Sequence, residues 1–413
     1  MGPRTAQHAT AFDRAVALLT GLSLLCVFLL PSQSGASFPT YLVALLVLLG
    51  GTGRWREFFD ARALPFALLA LLLYFAASVG WSQAASARGA FSICSRSVLM
   101  LAFMVALSTS MDRVPQTMRW LPRALAITAA IAAAAAIVDL QLHPTWDGRL
   151  AGLGQLRSSV MAGMAFNAGL VCAVSVLLTG ATAWRATGAV CAALTAAAVY
   201  ATGSRSAYLG GAIGVWTLLL WARRGSGAVN ALVWFAGPAL CAGAVAVVLT
   251  LEAGWTEVLF PRGDSFRIEI WAAEWRRLAA QGLWFGLGVL VPDDVVLQGQ
   301  AFLHPHSLYL ASALQGGLVG LLLLLGVLLA AGFNLYHARR LEEARLGLAL
   351  LAAGMSAYLL DGWELIDKVS VSWLVLWVPV SIAVGVGSRM QKQLGTAGTG
   401  PVQRLLGSIQ ERR

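Results

Sequence analysis

The chain has 413 residues, of which 58% are hydrophobic and only 12% charged. A soluble globular domain carries roughly 25% charged residues, so half that value over a chain this long, with a mean hydropathy of +0.74, excludes a water-soluble fold. The net charge of +10 comes from 29 Lys and Arg against 19 Asp and Glu, but no basic run alternates with aromatics in a polar segment. That argues against a nucleic-acid partner and for cationic loops that set membrane topology.

A hydrocarbon core about 30 Å thick needs roughly 20 apolar residues per helix. About twelve segments qualify, near 13–30, 38–51, 64–81, 88–109, 118–140, 158–180, 185–202, 205–222, 228–251, 306–333, 343–360 and 371–388. The first follows a polar stretch and lacks a small-residue cleavage site, so it reads as a retained anchor. All five cysteines lie in apolar stretches with neither metal spacing nor a disulfide framework. Between the ninth and tenth segments lies the one long polar stretch, residues 252–305. Within it, residues 265–280 place Phe266, Ile270, Trp271, Trp275 and Leu278 at helical spacing with charges between them. This predicts an amphipathic helix at the membrane interface, broken by Gly282, Gly286 and Gly288. Residues 1–393 form one membrane domain, and residues 394–413 a flexible tail.

Basic residues choose the orientation. With the N-terminus in the cytoplasm, 19 of the 29 cations fall on the cytoplasmic side, as the positive-inside rule requires. Both termini are then cytoplasmic. The ten cations left outside are Arg88, Arg96, Arg149, Arg157, Arg205, Arg262, Arg267, Arg276, Arg277 and Lys368. They oppose the topological trend and need another reason.

Several outer motifs could carry chemistry. Arg205, in Gly203-Ser204-Arg205-Ser206, offers a guanidinium fork that matches phosphate oxygens, or it snorkels at a helix end. Arg262 and Arg267 flank Asp264 and Ser265, which can cap the following helix; two arginines near a helix N-terminus make an anion site, unless the segment is a solvated helix start. His304-Pro305-His306 holds two of the five histidines. An imidazole there can act as a base, bind a metal or cap a helix, but no cysteine or third histidine completes a metal site. Asp147 to Arg157 adds the cations Arg149 and Arg157. Asp361-Gly362-Trp363-Glu364 could orient a histidine or cap a helix. Together these place cations, histidines and acids on one side of the membrane, which suits a lipid carrying phosphate.

These residues resemble the O-antigen ligase, O-antigen polymerase and oligosaccharide-transferase superfamily of bacterial inner membranes. The resemblance lies in Ser204-Arg205-Ser206-Ala207-Tyr208-Leu209, in Arg262-Gly263-Asp264-Ser265-Phe266-Arg267 with Trp271, and in Gly286-Leu287-Gly288. His304-Pro305-His306-Ser307-Leu308-Tyr309-Leu310 with Gly316-Gly317-Leu318 completes it, and Arg149 and Gly152 match a weaker element. Ser307 stands where the family often has Asn. The similarity runs from about residue 149 to about residue 330.

The resemblance implies an all-α, GT-C-like membrane glycosyltransferase with one large periplasmic loop. It further implies an undecaprenyl-diphosphate-linked O-antigen donor and a lipid A–core acceptor. The single outer loop favours the ligase over the polymerase, and there is no extra soluble C-terminal domain of the protein-glycosylating kind. Arg205, Arg262 and Arg267 would hold the diphosphate in place of a metal, with no cofactor. His306 would deprotonate the acceptor hydroxyl, giving inversion at the anomeric carbon, and His304 or an acid near Asp361 would orient it. Arg149 and Arg157 are further substrate contacts. A lipid-linked glycan transporter is the non-enzymatic alternative, although only Arg96 and Asn167 depart from the clustering of polar residues at one interface.

Overall fold

The computed structural model describes residues 9–50, 52–60, 63–221, 266–291, 295–297, 300–302 and 304–397. The whole stretch 222–265, with the expected ninth span and Arg262, and the tail from 398 lie outside the described residues. The helices are α1 (Ala11–Leu29), α2 (Gln33–Leu49), α3 (Thr52–Phe59), α4 (Ala63–Ala77), α5 (Ala87–Arg113), α6 (Thr117–Leu142) and α7 (Ser159–Thr179). They continue as α8 (Thr182–Ala201), α9 (Arg205–Trp221), α10 (Arg267–Gln281), α11 (Leu308–His337), α12 (Glu342–Ala357) and α13 (Val378–Ala397). A 3-10 turn, Ser78–Trp81, extends α4, and a π-turn, Trp373–Trp377, leads into α13. The described β-structure is one antiparallel ribbon, Val295–Leu297 (β1) with Gln300–Phe302 (β2).

Among the described residues, seven helices are long and apolar enough to cross a membrane, or eight if the bent pair α2–α3 is one span. The protein is therefore an all-α, polytopic membrane protein. These helices occur because a chain in hydrocarbon must satisfy every backbone N–H and C=O internally. Their starts are fixed by caps. Thr10 and Asp13 form a reciprocal capping box at α1, and Ser86 and Ser307 cap α5 and α11. The second helix begins five residues earlier than its apolar run, because Ser32 caps it and Pro39 is carried inside it.

Small residues bring the helices together, as expected where there is no water to drive association. On α9, Gly210 faces Ala353 and Ala357 of α12, whereas Gly214 faces Ala349 and Ala353. The two helices are therefore antiparallel, and the start of α9 lies at the same end of the bundle as the end of α12. Asn167 on α7 is buried and donates from Nδ2 to the Ala207 carbonyl at 2.6 Å. It ties α7 to α9, a structural role for one of the two residues that stood apart from the outer cluster.

Two glycine motifs dock the segment 282–288 onto the bundle. Gly317 has φ 64° and interrupts α11. The strand of chain at 283–288 repairs the interruption. Leu318 N donates to Leu283 O at 2.9 Å, Val319 N to Trp284 O at 3.1 Å, and Leu287 N to Leu314 O at 2.8 Å. A Cβ at Gly286, which has φ 74°, would lie 2.4 Å from Gln315 O, and one at Gly317 would lie 2.2 Å from Trp284 O. Only glycine fits either place. The pairing sets the position of α10, just upstream, against the start of α11.

Helix α10 departs from its expected face. Ile270 and Leu278 are buried, but Trp275 is 49% exposed and Glu274 takes the inward position beside them. Its N-cap is Phe266, with φ 59° and no side-chain cap; Asp264 and Ser265, the caps foreseen for this helix, lie outside the described residues.

Candidate functional site

His304, Pro305 and His306 lead directly into α11, where the Ser307 side chain accepts from Leu310 N. His306 has φ 51°. Among the described residues only Phe266 and His306 are non-glycines with positive φ, one at the entrance of α10 and one at the entrance of α11. Backbone held in this region by its surroundings is typical of functional positions. Here the surroundings are specific. Trp271 Nε1 on α10 donates to Pro305 O at 2.8 Å, and His306 N donates to His304 Nδ1 at 3.4 Å. The two imidazoles meet edge to face with centroids 4.0 Å apart, and His304 stacks on Trp363 at 5.5 Å.

The third participant is Asp361, which follows α12 and is 8% exposed. Its carbonyl, with that of Tyr358, accepts from Leu308 N at 3.2 and 3.1 Å, which joins the end of α12 to the start of α11. Its Oδ1 accepts from Gly362 N at 2.6 Å. Its Oδ2 lies 3.8 Å from His306 Nδ1 and 3.9 Å from an Arg267 terminal nitrogen. Both separations exceed hydrogen-bonding range. His306 Nδ1 and Arg267 Nε are buried with no hydrogen-bond partner among the described residues. Buried donors without a protein partner are rare and call for an explanation.

Electrostatics sort the roles of these groups. Burial and the neighbouring His306 hold the His304 pKa down to about 4, and Arg267 adds to the depression while Asp361 opposes it. His304 is therefore neutral at physiological pH, and its Nδ1 is free to accept from the His306 amide. Burial alone would raise the Asp361 pKa, but His306, the Gly362 amide and His304 outweigh it and hold the carboxyl below its ordinary value. The centre thus joins a fixed anion, a neutral imidazole and a guanidinium to a second imidazole, His306, whose side chain is 28% exposed.

The other predicted cations fall at the same end of the bundle but in different settings. Arg205 opens α9, at the end that α9 shares with Asp361. Arg149 is a neighbour of that turn. Its Nε donates to Thr202 O at 2.6 Å, and its side chain runs beside Gly203. Arg149 thus braces the turn that presents Arg205. Arg157 is exposed, and its Nε donates to Gly154 O at 3.0 Å, beside the α1–α2 connection that Gly154 touches. No contact among the described residues joins it to the histidines.

One further buried group belongs to none of the sequence motifs. Glu274 on α10 is fully buried, and neither carboxylate oxygen has a hydrogen-bond partner among the described residues. Burial raises its pKa, and Arg277, 3.6 Å away, only partly opposes this. An acid placed among apolar residues of a surface helix reads in sequence as part of the polar face, so no motif marks it.

His304, His306 and Asp361 also bring three ligand atoms within 4.8 Å of one another. Asp361 supplies the third ligand that the histidine pair lacked in sequence. The set is small enough for a divalent ion, but Arg267 sits 3.9 Å from the shared carboxylate, and a fixed cation there opposes a second one. An anion beside Arg267 meets no such cost.

An apolar cavity of about 620 Å³ opens beside this centre, lined by Tyr309, Leu321 and Leu325 of α11 and by Ala352, Met355 and Leu359 on and after α12. Tyr309 OH donates to Met355 O at 2.9 Å and spans the two walls.

Comparison with known proteins gives two findings. Residues 190–325 match a family model described as O-antigen ligase. That interval runs from α8 into α11 and contains Arg205, Arg262, Arg267, His304 and His306. The chain is also 27% identical over 322 residues to the O-antigen ligase of Pseudomonas aeruginosa, covering 76% of each protein.

Proposed function

We propose that this chain acts as an O-antigen ligase, as its match to that family and its likeness to a curated O-antigen ligase support, and that it transfers O-antigen from undecaprenyl diphosphate to lipid A–core at the periplasmic face of the inner membrane. The fold is then a GT-C-like glycosyltransferase of about twelve spans with both termini cytoplasmic. Residues 1–393 are the catalytic domain, with the loop near 252–305 in the periplasm, and residues 394–413 are a cytoplasmic tail.

One observation carries the reading. His306 and Arg267, from separate segments, approach the same buried oxygen of Asp361, at 3.8 and 3.9 Å. With its Nδ1 proton directed to Asp361, the His306 ring keeps a lone pair on Nε2 for the acceptor hydroxyl. The hydroxyl oxygen attacks the anomeric carbon, the bond from that carbon to the lipid diphosphate breaks, and the configuration inverts. Asp361 stays anionic and stabilises the imidazolium that forms. Arg267, with Arg205 and Arg262, holds the diphosphate and takes up the charge that develops as it leaves. His304 fixes the backbone of His306, Arg149 braces the turn that carries Arg205, and Arg157 remains a candidate contact to sugar or phosphate. The cavity between α11 and α12 suits the polyprenyl chain.

Purified protein, lipid-linked O-antigen and lipid A–core test this directly. Ligated product supports the ligase. Longer lipid-linked chains without ligation would make it a polymerase, and neither product would leave a transporter. The ligand set of His304, His306 and Asp361 supports a second, metal-dependent reading. Activity that survives a strong chelator rejects it, whereas activity lost to the chelator and restored by a divalent ion would replace the proposed arginine chemistry.

A further inference from the structure

A second cavity, of about 390 Å³ and lined by several charged and hydroxyl side chains, lies at the same end of the bundle between α2, α5 and the segment after Asp361. Three of its lining side chains are cations, Arg88, Arg96 and Lys368, against one carboxylate, Asp367. All three belong to the outer cations that topology does not explain. Arg88, Ser92 and Arg96 recur at intervals of four on α5, so they form one stripe that descends about 12 Å along the helix. Ser37 of α2 and Ser95 add hydroxyls. The rim carries Tyr41, 48% exposed, and Phe91, 75% exposed, the aromatic lip expected where a site opens to the lipid interface.

The cations are poorly matched within the protein. Among the described residues Arg88 and Lys368 make no ion pair. Arg96 reaches Glu364 only at 3.9 Å and the Ile366 carbonyl at 3.5 Å, and its Nε is buried with no partner among the described residues. Arg88 occupies the first turn of a 27-residue helix, where the helix dipole repels a cation and favours an anion. A guanidinium against the dipole and another sunk two turns below it are each unfavourable alone. An anionic group between them offsets both costs.

This cavity is separate from the apolar one between α11 and α12, and the segment 361–373 divides the two. Asp361 begins that segment, while Asp367, Lys368, Val369 and Trp373 line the α2–α5 cavity. Two cavities therefore lie on either side of the Asp361 segment, one apolar and one lined by cations.

We propose that the α2–α5 cavity binds the phosphorylated saccharide headgroup of the acceptor lipid, with Arg88, Arg96 and Lys368 on its phosphate and the serines on its sugar. This rests on the transferase reading above. It assigns the two lipid substrates to opposite sides of the Asp361 segment, so that the acceptor hydroxyl reaches His306 from the side away from the polyprenyl chain.

The test is direct binding of bis-phosphorylated lipid A to the full chain in phosphatidylcholine nanodiscs, for wild type, Arg88→Gln, Arg96→Gln and His306→Ala. The expected result is a loss of about tenfold or more in affinity for each arginine variant and none for His306→Ala, with unchanged thermal midpoints. Lipid A stripped of its phosphates should bind the wild type as weakly as the variants bind the intact lipid. Arg88→Gln is at an exposed position and keeps the test valid should Arg96→Gln unfold. Unchanged affinity in Arg88→Gln, equal binding of the dephosphorylated lipid, or equal competition by phosphatidylglycerol or by undecaprenyl diphosphate would each overturn the proposal. The readout needs no turnover. Absence of ligated product from the wild type would therefore defeat the transferase reading while leaving this binding result to stand or fall alone.

Discussion

The two ends of the bundle use charge in opposite ways. At one end, Arg54, 1% exposed, donates to Asp13 at 2.6 Å and to Thr109 at 2.7 Å. Arg113 pairs with Glu57 at 3.1 Å and with Asp13 at 3.3 Å. Arg389 bonds Asp112, Glu343 and the Met111 carbonyl, and Lys392 joins Asp112 at 3.3 Å. Four cations and four carboxylates close on each other at hydrogen-bonding range, binding α1, α3, α5, α12 and α13. At the other end, His306, Arg267 and Arg96 stop 3.8 to 3.9 Å short of their acids and leave buried nitrogens without partners. The first arrangement is a lock of short ion pairs, in which Arg54 Nε is the one guanidinium nitrogen buried without a partner among the described residues. The second is open to a ligand that carries negative charge.

The contrast predicts different consequences for similar substitutions. Arg54→Ala leaves Asp13 buried with less compensation, and removing one partner of a buried pair costs about 3–5 kcal/mol. A steep fall in thermal midpoint is expected; an unchanged midpoint would remove the lock. Arg267→Ala should leave the midpoint within a degree or two, while transfer falls by about 10²–10³-fold, the usual cost of losing one donor to developing charge. A large loss of stability with normal transfer would reverse the roles assigned to the two ends.

The end that carries His304 should also show two opposed pH dependences of stability. His304 has its folded pKa near 4, below the ordinary 6.5, so the unfolded chain binds the proton more readily. Stability from the neutral ring is full above 6.5, declines as pH falls through the window, and is lost near 4. Glu274 has a raised pKa, so the folded chain holds its proton longer and stability declines as pH rises above the ordinary carboxylate value. His304→Gln should remove the first slope in thermal midpoint against pH. Glu274→Gln should remove the second and change stability at neutral pH only slightly, by about 1 kcal/mol. A slope that survives its own substitution would place its origin elsewhere.

The membrane helices were legible in sequence because hydrocarbon imposes a long, unbroken apolar run on each span. Helix α10 shows where that legibility ends. Its apolar residues predicted the helix but not its rotation, since the inward face is chosen by docking of the Gly282–Gly288 turn onto the break at Gly317. That docking is a backbone match between segments about thirty residues apart, which no periodicity reports. The site is legible to the same degree. Arg267 and His306 stood out by type and position, but their meeting over Asp361 depends on the Leu308 amide reaching back to the end of α12. Arg149, a candidate substrate contact in sequence, donates from Nε to Thr202 O in the turn before Arg205, a contact that no motif reports. A charge at the correct end of a helix does not reveal whether it faces substrate or backbone.

The account centres on His306 as the base of glycosyl transfer. Single-turnover ligation by purified His306→Ala, with lipid-linked O-antigen and lipid A–core both saturating, tests that most directly. If His306 is the base, ligation slows by about 10²–10⁴-fold, donor binding is retained and the thermal midpoint stays close to that of the wild type. Ligation at the wild-type rate by a folded His306→Ala protein would contradict it.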